Sequence, residues 1–164
     1  MVRRTLTAAL VTLVFTLGSA GLASAAKPIR FSEEVSLTFT ADCGSFDLLV
    51  ELEGKEIVML FLDAEGDLTR VFIAAPAVTA SLTNLATGAS IRLSLAGPAH
   101  VEVTPTEDSV KLVGPWLLDF DPETGEQGGW FLVTGQVTFT EDATGRSDLS
   151  FNGRAVDVCA ELAG

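Results

Sequence analysis

The chain has 164 residues, with 22 acidic and ten basic side chains and a formal net charge of −12. That sign repels phosphate, so nucleic acid and anionic lipid are poor partners. One histidine and two cysteines also leave too few ligands for a clustered zinc site.

At the N-terminus, Arg3 and Arg4 precede an apolar run from Leu6 to Leu22, and Ala23-Ser24-Ala25-Ala26 supplies small residues for cleavage. This three-part pattern predicts a secretory signal peptide over residues 1–26. Gly18, Ser19 and Gly21 interrupt the run. A spanning helix wants about 20 predominantly apolar residues. No later run is long enough to cross a bilayer, so the mature protein is expected to have no membrane span. Residues 27–164 are then a single secreted domain, expected to be extracellular. Loss of Arg3 and Arg4 leaves eight basic against 22 acidic residues, a mature charge of −14.

Cys43 lies in FTADCGSF and Cys159 in VDVCAELAG. Disulfides persist outside the cell, and no C-x-x-C spacing suggests a redox pair. A Cys43–Cys159 bridge is the expectation. It would close a loop of more than 100 residues. It would bring the two Cα atoms within about 7 Å. The first and last segments of the fold are therefore predicted to be neighbours, the termini of the domain joined by the bridge.

Between the cysteines the hydrophobic pattern has period two. Phe46, Leu48, Val50 and Leu52 face one way, with Asp47, Glu51 and Glu53 between them. Ile91, Leu93 and Leu95 alternate likewise, as do Phe131, Val133, Val137 and Phe139 around Gly135. Such alternation marks strands with one buried face. It predicts strands near 35–41, 46–53, 56–63, 68–74, 77–84, 89–96, 99–105, 109–114, 116–120, 129–140, 147–151 and 154–159. The breaks are turn chemistry: Glu53-Gly54-Lys55, Ala64-Glu65-Gly66-Asp67, Asn84 to Gly88, Pro105 to Asp108, and Ala143 to Arg146. Asn152-Gly153 reads as a two-residue hairpin. No stretch sustains a helical period, and the gaps leave no room for crossover helices. Pairing is therefore antiparallel. The expected fold is all-β: an up-and-down or lipocalin-like barrel, with a β-sandwich as the alternative.

Two runs are apolar on both faces, Ile57 to Leu62 and Trp116-Leu117-Leu118. Either another part of the chain covers their outward residues, or they form a partner or self-association surface. If the barrel holds a small hydrophobic ligand, the lining residues are Phe46, Leu48, Val101, Val103, Phe131, Val133 and Phe139. The carboxylates Asp119, Asp121 and Glu123 are weak calcium candidates. Their loop fails the EF-hand pattern, with Thr124 at the glycine position. Asp63-Ala64-Glu65-Gly66-Asp67 is weaker still. His100 and Glu102 are expected side by side on an outer face, a pair able in principle to move a proton. No G-x-S-x-G elbow is present. No catalytic residue, resident metal or cofactor is assigned.

Ser81 to Ser90, Gly97-Pro98-Ala99-His100, Leu132 to Val137 and Gly153 to Leu162 resemble a group of uncharacterised secreted β-rich proteins of high-GC Gram-positive bacteria. The resemblance spans most of the predicted mature chain and rests on turn and core positions. It implies export and a shared β fold, and carries no activity with it. The function expected is that of a non-enzymatic, cell-exterior structural or interaction protein. A barrel holding a small hydrophobic ligand is the alternative. A barrel-cavity isomerase or cyclase is a third reading, opposed by the nearly apolar inner face.

Overall fold

The computed structural model describes residues 27–121, 124, 125, 127–142, 144 and 147–164. Among these residues ten strands run in chain order: β1 (Ile29–Asp42), β2 (Asp47–Leu62), β3 (Leu68–Ala74), β4 (Thr79–Asn84), β5 (Ser90–Ser94), β6 (Pro98–Val103), β7 (Glu107–Val113), β8 (Trp116–Phe120), β9 (Gln127–Asp142) and β10 (Ser147–Asp157). A short helix, α1 (Val158–Leu162), follows. Every pairing is antiparallel.

The strands form an open path, β10-β9-β7-β6-β3-β2-β4-β5, with β1 added to β2 and β8 added to β9. The expected barrel does not form, because the sheet does not close on itself. Closure needs each strand to keep one neighbour on each side with a steady stagger. Here the two longest strands change partner midway. The first half of β2 pairs with β4, and its second half pairs with β3. The first half of β9 pairs with β8, and its second half pairs with β7. Counted backwards from the C-terminus, β10 to β6 repeat the arrangement of β1 to β5. The only strand ladder joining the two halves among the described residues is β3–β6, from Arg70 opposite Glu102 to Ala74 opposite Pro98.

A glycine sits at each change of partner. Gly54 has φ +143° and Gly135 has φ +132°. A Cβ on Gly54 would run into Ala77 O and Val78 Cα, where the link from β3 to β4 crosses β2. A Cβ on Gly135 would meet Asn152 O and Gly153 Cα. These positions therefore need glycine for space as well as for backbone conformation. The expected turn at Glu53-Gly54-Lys55 is thus a bend inside one strand. Asn152-Gly153 is likewise internal to β10, opposite Gln136 and Gly135, and is not a hairpin turn. The strand expected over 154–159 ends at Asp157 and gives way to α1. The Asp157 carboxylate accepts a hydrogen bond from Ala160 N (3.0 Å) and caps that helix.

Two apolar cores result. The first gathers Ala41, Leu48, Val50, Ala75, Val78, Ala80, Leu82 and Leu95 with Val158 and Leu162 of α1. Leu117, Trp130 and Leu132 pack against it. The second holds a straight cross-sheet row, Val58–Ile73–Ala99–Leu112–Val137, one residue from each of five neighbouring strands. Trp116, Leu118, Phe131 and Val133 belong to this second core. Alternate residues of β8 and early β9 thus serve different cores. This explains why Trp116-Leu117-Leu118 is apolar on both faces.

The bridge forms between Cys43 and Cys159, with Cα atoms 5.5 Å apart and 116 residues of separation. It ties the β1–β2 turn to α1. Asn84, the one buried polar side chain among the described residues, adds a second tie: its Nδ2 donates to Leu162 O (2.9 Å). Its Oδ1 accepts from Ala86 N and Thr87 N, shaping the β4–β5 turn.

Candidate functional site

The seven positions expected to line a ligand cavity do not converge. Leu48 is fully buried in the first core, and Phe46 packs beside it. Val133, Phe131 and Phe139 belong to the second core. Val101 stands between Val71 and Val110 in the next cross-sheet row. Val103 borders an open cleft of about 430 Å³, with Phe61, Thr69, Arg70, Glu102, Thr104 and Pro105.

That cleft lies where β3 begins and β6 ends, and strand pairing places Arg70 opposite Glu102. The Arg70 guanidinium lies over the Phe61 ring at 4.0 Å. Thr69 Oγ1 donates to Phe61 O (3.1 Å), and Thr104 Oγ1 donates to Glu107 O (2.6 Å). Both hydroxyls are thus used to hold backbone. The cleft offers a cation held on an aromatic ring, one facing carboxylate and a shallow apolar floor.

His100 lies on the same outer face as Arg70 and Glu102. Its ring meets the Phe72 ring edge-on at 4.7 Å, and Lys111 is its other cross-strand neighbour. The aromatic contact was not legible in sequence, because it depends on β3 and β6 pairing across a gap in the chain. Along with Met59, Phe72 and His100 form a half-buried outward row. Ile57, Met59 and Phe61, the outward residues of the first doubly apolar run, lie on this face.

The acidic loops serve the backbone. Asp63 Oδ1 accepts from Glu65 N (3.0 Å) and Asp67 N (2.8 Å), which folds the 63–67 turn. Asp119 is in β8, and Asp121 follows it, its carbonyl accepting from Gly125 N (2.7 Å). Glu123 lies outside the described residues. Among the described residues, no three His, Cys, Asp or Glu side chains gather as a metal site. No helix among them is long and apolar enough to cross a membrane.

Sequence reasoning missed one electrostatic feature. Glu33 of β1 and Glu56 of β2 are direct cross-strand partners, in phase with the apolar residues Phe31 and Val58. Burial, and then the Glu33 charge, hold the Glu56 carboxyl above its usual range. Charging Glu56 therefore costs more in the folded than in the unfolded state. Its contribution to stability is fully present at low pH and is lost as pH rises through the raised value. Glu56→Gln is expected to stabilise the protein at neutral pH by up to about 1 kcal/mol, the scale of an opposed like-charge pair. The gain should vanish in acid. Urea unfolding at pH 7 and pH 3 measures both, and an equal effect at the two pH values would refute the charge account.

Compared with protein-family models, with curated proteins and with solved structures, the chain matches none.

Proposed function

We propose that this protein is an exported, non-enzymatic β domain, two-walled and sandwich-like, that works by contact with partners at the cell exterior. One observation carries the reading: apolar surface is left open along one side of the molecule. Ile29, Phe31 and Leu37 of β1 are exposed by 43 %, 37 % and 52 %. Phe31 and Ile29 stand opposite Val58 and Leu60, and so extend the apolar face of the second core out to this open edge. Contiguous apolar surface of this kind marks contact sites in soluble proteins. The Cys43–Cys159 bridge supports export, because such bonds persist in oxidising compartments. The ligand-holding alternative has less support, since five of its seven lining positions divide between two packed cores and Val103 borders an open cleft.

The test is fractionation of the native source, with intact mass read without reductant. The expected species is extracellular, begins after residue 25 or 26, and is lighter than the reduced chain by two hydrogens. Recovery of a reduced, uncleaved chain from the cytoplasm would sink the proposal.

A further inference from the structure

We propose that β1 pairs antiparallel with β1 of a second copy, around a two-fold axis at Ser32. The inference deepens the interaction reading by naming its partner, and rests on it.

β1 has 14 residues, and among the described residues it pairs only with β2. A free edge is a template for another strand. Its first six residues, Ile29 to Glu34, are all exposed. Two backbone bonds fix the phase of the edge. Cys43 N donates to Phe46 O, and Leu85 N donates to Asp47 O on the other side of β2. Bonded and non-bonded pairs alternate along an antiparallel ladder. The odd residues of β1 therefore bond to β2, and the even residues, including Arg30, Ser32, Glu34 and Ser36, turn their N–H and C=O groups outward.

A second β1 must match even residue to even residue, and charge then selects the register. With Ser32 opposite the second copy's Ser32, each Arg30 faces a Glu34, twice by symmetry. Ile29 then meets Val35. The next register places Glu33 opposite Glu33, and the one after places Glu34 opposite Glu34. Like charges directly opposed destabilise a sheet. The shift in the other direction leaves Arg30 opposite serine. Longer overlaps carry the second copy towards Cys43, where the bridge holds α1. The charges that protect this edge against loose pairing thus permit one specific pairing. The contact is isologous, as a closed dimer requires.

The test is sedimentation velocity of the purified protein over a concentration series, with charge-reversed variants. Wild type is expected to dimerise reversibly. Arg30→Glu and Glu34→Arg should each weaken the dimer about ten-fold or more, since each creates two opposed like-charge pairs. Mixing the two variants restores opposite charges at both positions, so a heterodimer of wild-type strength is expected. That restoration also shows that both variants are folded. A wild type that stays monomeric at every concentration, or variants that dimerise like wild type, would overturn the inference. An extracellular monomer removes this pairing and leaves the export reading standing. A charge-selective dimer recovered from the cytoplasm does the reverse.

Discussion

Replacing Cys43 and Cys159 together with serine is expected to lower stability by about 4–5 kcal/mol, the chain-entropy value for closing a loop of this length. The fold gives the bridge more to hold than loop closure alone. Among the described residues, β1 to β5 and β6 to β10 share a single ladder, β3–β6. The bridge is a second, covalent link between those halves, fixed to Val158 and Leu162 in the first core. Urea unfolding of the oxidised and serine forms measures the loss, and a difference below about 1 kcal/mol would contradict the chain-entropy account. The slope of the transition should also rise in the serine form, because its unfolded chain is less compact.

Gly54→Ala is expected to cost about 3 kcal/mol or more. Two terms add. A φ of +143° is strained for any residue with a Cβ, worth roughly 1–3 kcal/mol. The new methyl also meets backbone at Ala77 and Val78, which cannot rotate aside as a side chain would. Overpacking of this kind adds about 1–3 kcal/mol. Gly44 provides the control. It has φ +78°, and nothing lies within 4 Å of an added Cβ. Gly44→Ala should therefore show only the conformational cost, roughly 1–2 kcal/mol. If the two alanine variants unfold at the same urea concentration, the crossing of the β3–β4 link over β2 is not what requires glycine at position 54.

Those glycines also show how far the fold could be read from sequence. Alternation assigned faces correctly: Phe46, Leu48, Val50 and Leu52 share one core, and Phe131, Val133, Val137 and Phe139 share the other. The compartment argument for the cysteines gave their pairing. Gly54 and Gly153 were read as turns because a residue free of Cβ serves equally where a chain reverses and where it bends. Only the close approach of distant backbone distinguishes the two. α1 was missed because five residues complete too little of a helical period to register. The open path was hidden for a deeper reason. Alternation says which residues are inside, but it does not say which strand each half of β2 or β9 will pair with. The candidate site turns on the same point: alternation gives a residue its face, and five of the seven expected lining residues share that phase yet lie in two separate cores.

The position of the bridge also sets how the molecule bears load. Tension applied between Lys27 and Gly164 travels along residues 27–43, across the disulfide, and out through residues 159–164. Only β1 lies on that path as a strand, and it would unzip from β2 one cross-strand pair at a time. Everything from β2 to β10 hangs inside the covalent loop and carries no force. A protein tugged by its ends would surrender β1, and with it Ala41 and then Leu162 of the first core, while the second core stays whole. Reduction would put those cores, and the lone β3–β6 ladder between them, directly under strain.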